Sequence, residues 1–237
     1  MKAPVNIPHA VQLAWDLRRE GTDAADTGLS VPKLVGAAIA LADRDGLSGV
    51  SIRKLSRELG FTPMAVYRHV QSRDELLVLM FDVALGAPPN AITQASTWQQ
   101  GVRLWGTELF ARYQHHAWLL DTPPPGLPTT PNHIMWVESF LAVIGSTHLS
   151  LQQQLDAALL VDGHARYIAY LRRLGHQAGA DDDRAQPSSW LRSLINHTTH
   201  PNFSAVVNEG VLNDATGPDF AFGLDCIIDG LAMRVPA

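Results

Sequence analysis

The chain has 237 residues, 46% of them hydrophobic and 17% charged, with a formal net charge of −5. This composition excludes a wholly disordered chain, and the single Cys226 excludes an intrachain disulfide and any zinc site built on two or four cysteines. The longest apolar stretch, Leu34 to Ala42, is too short to span a membrane and the N-terminus shows no signal-peptide pattern, so a cytoplasmic protein with no membrane partner is expected.

Residues 1–28 read as an extension, with a short helix from Val11 to Arg19 and a mobile linker from Gly21 to Gly28. Ser30 then caps a helix with Pro32 in its first turn, and Val35, Ala38, Ile39 and Ala42 form its inner face up to a stop at Gly46. Ser51 opens a second short helix with Ile52, Leu55 and Leu59 inward, and Gly60 ends it. Thr62-Pro63 restarts a helix within three residues, with Val66 and Val70 facing in. Ser72-Arg73-Asp74-Glu75 is a capping box in which Glu75 is placed to reach the Ser72 amide, and a leucine-rich helix follows to Gly86. Beyond a proline turn, longer helices are predicted over Trp98–Leu120, His133–Ile144, Ser150–Leu174 and Asp219–Arg234, with shorter ones over Ser188–His197 and Phe203–Asn208. Residues 175–187 are expected to be a loop. No alternating strand pattern and no repeat is present, so the fold class is all-α.

The segment from Ser51 to Arg73 carries the functional signal. Two short helices joined by a three-residue turn that begins with glycine have helix-turn-helix spacing. In that motif the second helix enters the DNA major groove. Arg53, Lys54, Arg57, Arg68 and Arg73 face only Glu58, a local net of +4 inside a chain of −5. Phosphate neutralisation needs that local surplus, whatever the total. Thr62 and the helix start offer donors to phosphate, Tyr67 a phenolic hydroxyl, and Arg68 a bidentate contact to guanine. Pro63, Met64 and Ala65 are exposed apolar groups suited to thymine methyls. Arg73 opposes the dipole of its own helix, which points to an external anion. The alternative is that Tyr67 and His69 pack the small head and that the arginines are ordinary solvated charges.

The run from Leu47 to Phe81, with L-G at Leu59-Gly60, Phe61, then Val66-Tyr67-x-His69-Val70 and a basic residue at Arg73, resembles the DNA-binding domain of TetR family transcriptional regulators. The resemblance covers about a quarter of the chain. It implies that Ser51, Arg53, Thr62, Pro63, Ala65, Tyr67, Arg68 and His69 lie near double-stranded operator DNA. It also implies a phosphate contact at Arg73, where the family normally carries lysine. It further implies a larger helical domain that binds a small-molecule effector and forms a homodimer. The expected organisation is 1–28 extension, 29–87 DNA-binding domain and 88–237 effector-binding and dimerisation domain.

The C-terminal part offers its own candidates. For the dimer these are Leu155, Leu159 and Gly163 on the long helix, and Phe220, Gly223, Leu224, Ile227 and Leu231 on the last. The alternative is that both stripes are intramolecular core. For an effector pocket, the candidates are Trp105, Phe110, His115, His116 and Asn132, followed by Met135, Trp136, His164 and Tyr167. The histidine pairs His115-His116 and His197-x-x-His200 lack a carboxylate or cysteine at ligand spacing, and Asp181–Asp183 reads as a solvated loop, so no metal or other cofactor is expected. Cys226 reads as a small buried residue. No nucleophile-elbow, phosphate-loop, dinucleotide or metalloprotease motif occurs, so an enzyme is not expected. A helical enzyme, or a protein-interaction module whose helix-turn-helix only packs, is the alternative.

Overall fold

The computed structural model describes residues 7–20, 28–123, 126–179, 191, 193–211 and 217–235. The expected linker Gly21–Gly28 falls almost wholly outside the described residues, as do positions 188–190 and 192 of the expected helix Ser188–His197 and all of 181–187. The described residues form helices and no strand. In chain order they are α1 (His9–Glu20), α2 (Val31–Asp45), α3 (Ile52–Leu59), α4 (Pro63–Tyr67), α5 (Arg73–Leu85), α6 (Trp98–His115), α7 (Pro131–Ile144), α8 (Leu151–Gly179), α9 (Pro201–Asn208) and α10 (Phe220–Ala232).

The head, α2 to α5, is organised by its punctuation. Ser51 Oγ accepts from the Lys54 amide, Thr62 Oγ1 from Ala65, and Ser72 Oγ from Glu75, so three successive helices start on a side-chain cap. Gly60 takes the left-handed conformation, φ +74°, which lets α3 stop and α4 begin without steric cost. Leu55, Val66, Val70 and Leu76 are fully buried where these helices meet. The capping box differs in one detail. The Glu75 carboxylate accepts from the Gln71 amide, one residue before the expected Ser72, and its other oxygen lies 2.5 Å from His9 Nδ1 on α1.

In the C-terminal domain, α6 packs most extensively on α8, with α7 and α10 beside them. Trp105, Trp136 and Phe140 pack edge-to-face at its centre, with centroid distances of 5.7 and 4.9 Å from Trp105. Two element boundaries depart from expectation. The helix from Trp98 ends at His115, and a 3₁₀ turn covers Ala117–Asp121. His116 leaves helical geometry (φ −110°, ψ 71°), and its Nδ1 and the Trp118 indole both bond Asp43 of the head at 2.8 Å. A tertiary partner therefore sets that break. The helix from Ser150 also runs on to Gly179, past the loop expected from 175, with Gly175 inside it at the modest cost of a helical glycine.

The seam between head and C-terminal domain is polar and specific. Asp82, buried on α5, accepts from the backbone amides of Asn132 and His133 at the start of α7, at 2.9 and 3.2 Å. The Asn132 side chain donates back to Asp82 O and Oδ2. Trp136 Nε1 donates to Gly86 O at 2.9 Å. Helix α1 straps the same seam from outside: Trp15 Nε1 donates to Thr129 O and Arg18 to Asn132 Oδ1. No described helix is long and apolar enough to cross a membrane.

Candidate nucleic-acid interface and effector domain

The exposed face of α4 and its flanks gathers the residues expected near DNA. Met64 is 68% exposed and Tyr67 48%, while Val66 between them is fully buried. Thr62, Pro63 and Arg68 are exposed on the same short helix or its cap, and Ala65 and His69 are half-buried. The alternation follows from helix geometry: Val66 and Val70 lie one turn apart and anchor α4, leaving 64, 67 and 68 outward. Ser51 and Arg53 sit at the exposed start of α3.

Ion pairing sharpens the charge count. Lys54 Nζ lies 2.5 Å from Asp45, and Arg44 holds Glu58 at 2.6 Å. The Lys54 and Arg44 bonds hold the Asp45 carboxyl below its ordinary range. No described carboxylate pairs with Arg53, Arg57 or Arg68, so these three guanidiniums are available to an external polyanion. Arg73 is different. Its Nε donates to Val50 O at 3.2 Å and Nη2 to Leu47 O at 3.1 Å. The cation at the start of α5 thus has an internal use, fixing the turn before α3, which the reading from dipole alone missed.

The effector candidates do not converge on one cavity. Trp105 Nε1 donates to Trp136 O at 2.9 Å, so both indoles are tied into the core. Phe110 stacks on Phe220 at 4.2 Å, and His164 also stacks on Phe220 and bonds Phe220 O at 2.9 Å. His116 and Asn132 serve the seam, Met135 is half-buried, and His115 and Tyr167 are exposed. Asn132 lines a cavity of about 440 Å³ between α1, α2, α5 and α7. Tyr167 lines a separate hollow of about 200 Å³ with Leu120 and Arg166.

A buried polar cluster escaped the sequence reading. Tyr113 Oη donates to Asp162 Oδ1 at 2.6 Å, and the Arg166 guanidinium lies over the Tyr113 ring while bonding Leu119 O and Thr122 O. Burial pushes the Asp162 carboxyl up, against the opposing pull of Tyr113, Arg166 and His133. Burial likewise raises Asp82 and the Tyr113 phenol and lowers His133. The signal was present: Asp82 and Asp162 each interrupt an apolar run, and a carboxylate there must find donors.

The dimer candidates divide. Leu155, Leu159 and Gly163 are exposed along α8, in line with Leu151, Tyr167, Tyr170 and Leu174. Phe220, Leu224 and Leu231 are instead buried within the chain, at 6%, 1% and 8% exposure, and Ile227 is half-buried. Gly223 admits His164 of the same chain: a Cβ there would lie 2.2 Å from the imidazole Cε1. These four apolar side chains and Gly223 face the chain's own core because α10 lies against α6 and α8. The opposite face of α10, with Phe222 at 70% exposure and Met233 at 88%, remains open. Cys226 lies on that face and is exposed, not buried. No group of three or more metal-ligating side chains occurs among the described residues.

Residues 34–80 match the family model described as bacterial regulatory proteins, tetR family, and residues 91–235 the tetracyclin repressor-like C-terminal domain. The chain is 30% identical to the HTH-type transcriptional repressor DrrR1 of Streptomyces coeruleorubidus over 97% of this chain and 87% of that protein. Among solved structures it resembles apo ActR of Streptomyces coelicolor, with a TM-score of 0.74 and 25% identity, covering 88% of this chain and 97% of that one. It resembles ActR in complex with actinorhodin equally, with a TM-score of 0.74 and 26% identity over 89% and 98% of the two chains. The capped head with its unpaired cations and the helical domain behind it are therefore those of a DNA-binding transcriptional regulator, and the chain belongs to the tetR family of bacterial regulatory proteins.

Proposed function

We propose that this protein is a homodimeric cytoplasmic repressor, and not an enzyme, that leaves its operator when a small molecule binds its C-terminal domain. The observation that carries the DNA half is the α4 face, where Met64, Tyr67 and Arg68 stand exposed beside the unpaired Arg53 and Arg57. Residues 29–87 act as the reading head, and 88–237 as the effector and dimer domain. Ser51, Arg53, Thr62, Tyr67, His69 and the remaining donors of Arg73 serve phosphate; Pro63, Met64, Ala65 and Arg68 face base edges.

Two heads reading successive major grooves must sit about 34–36 Å apart, which requires a two-fold dimer. The exposed strip of Leu155, Leu159 and Gly163 supports α8 as the dimer seam, with the open face of α10 beside it. Release follows if an effector favours a dimer whose heads no longer match that spacing. ActR has been solved with actinorhodin bound, which supports a small-molecule effector, and DrrR1 is named a repressor, which supports repression.

The test is a gel shift with the duplex from immediately upstream of this protein's own gene, across a salt series. Sequence-specific binding that weakens with salt, and weakens again in Tyr67→Ala, is expected. Wild-type affinity and salt slope in Tyr67→Ala would remove α4 from the interface.

A further inference from the structure

The cavity of about 440 Å³ at the seam belongs neither to the DNA face nor to the α8 strip. Its volume is in the range of small-molecule sites. Four helices wall it: Leu17 from α1, Val35 from α2, Leu79 and Val83 from α5, and Asn132 from α7. The lining is mainly apolar, so water alone gains little there.

Two details distinguish it from loose packing. The first is Gly36, which lies within α2 and lines the cavity. Glycine weakens a helix interior and normally needs a positive φ or a close neighbour to justify it. Gly36 has neither: its φ is not positive, and a Cβ there would meet nothing within 4 Å. Its effect is to keep the space open. The second is Arg18, which also lines the cavity and among the described residues donates to the neutral Oδ1 of Asn132, at 3.2 Å. No described carboxylate pairs with Arg18. Asp82, which lines the cavity from α5, already accepts from the Asn132 and His133 amides.

We propose that this seam cavity is a small-molecule site, separate from the effector site of the C-terminal domain, for a ligand with a compact apolar body and one carboxylate. The carboxylate sits on Arg18, whose planar fork matches it in bidentate geometry. The apolar body fills the space beside Gly36, against Val35 and Leu79. Because head, strap and α7 all contribute wall, the occupant senses how the two halves of the chain are set against each other.

The probe is 1-naphthoate, with neutral 1-naphthamide as its isostere, titrated calorimetrically into the full-length protein. Wild type binds both. Gly36→Leu extends a side chain into the cavity from a position where the added Cβ meets nothing within 4 Å, and loses at least tenfold in affinity for both probes, with a thermal melt confirming that the variant is folded. Arg18→Gln loses about tenfold for naphthoate and leaves naphthamide unchanged. The proposal is overturned if wild type takes up no naphthoate at millimolar concentration, or if a folded Gly36→Leu binds it as wild type does. Equal losses of both probes in Arg18→Gln would overturn the carboxylate assignment. No DNA enters these titrations, so their failure leaves the repressor reading standing, and failure of the gel shift leaves this site standing.

Discussion

The head turns Arg53, Arg57 and Arg68 to solvent around a small core of Leu55, Val66, Val70 and Leu76, while the C-terminal domain turns leucines and tyrosines of α8 outward and folds Asp162, Arg166 and His133 in. The two surfaces suit different partners. Unpaired guanidiniums keep their hydration until they displace counterions from a polyanion. An uncovered apolar strip gains free energy only when another apolar surface removes water from it. One chain thus separates a cationic surface from an apolar one, and the seam of Asp43, Asp82 and Trp136 ties the two together.

The contrast is broken most severely on the apolar side. Leu159→Asp, on a residue 69% exposed, should leave the subunit folded but monomeric, and lower operator affinity by roughly 100-fold or more. Sedimentation and a gel shift read the two effects; a dimer with unchanged affinity would place the interface elsewhere. At the seam, Asp82→Ala removes a buried acceptor from two backbone amides and the Asn132 side chain. Each donor left unpaired costs about 1–3 kcal/mol, so a loss of about 2 kcal/mol or more in urea unfolding is expected. Unchanged stability would show that α7 does not depend on this cap.

On the cationic side, Arg68→Ala should cost about tenfold or more in operator affinity and relax preference at one base pair, whereas Arg53→Ala should cost about tenfold on every sequence and reduce the salt slope by about one. Identical sequence preference in Arg68→Ala would assign that residue to phosphate. The smallest effect concerns pH. Burial raises the Asp162 carboxyl, so the folded protein holds that proton more tightly than the unfolded chain does. Its contribution to stability is complete below the ordinary carboxylate range and is lost as pH rises through the raised value. Asp162→Asn keeps an acceptor for Tyr113 and should flatten that stretch of the stability profile; an unaltered profile would mean the proton resides elsewhere.

Local chemistry made the head readable. Ser51, Gly60, Thr62-Pro63 and Ser72 act over three or four residues, and the caps and the left-handed turn occur where the sequence puts them. The C-terminal candidates were less readable because periodicity identifies an apolar face and not what covers it. Phe220, Leu224 and Leu231 share a face with helical spacing, yet their cover is α6 and α8 of the same chain. Leu155 and Leu159 show the same pattern and remain uncovered. The effector candidates failed to converge for a related reason: Trp105, Trp136 and His164 satisfy their polar atoms against carbonyls distant in sequence.

The sequence alone determined the all-α fold, the helix-turn-helix and the surplus of positive charge between Ser51 and Arg73, because each depends on residues within a turn or two of one another. Only the tertiary structure decided which cations stay unpaired, that Arg73 braces Leu47 and Val50, and that Gly223 serves His164. It alone showed that α1 straps the seam beside a cavity that Gly36 lines. Those outcomes depend on which distant side chains meet, and a hydrogen bond or ion pair between them has no local signature in the chain.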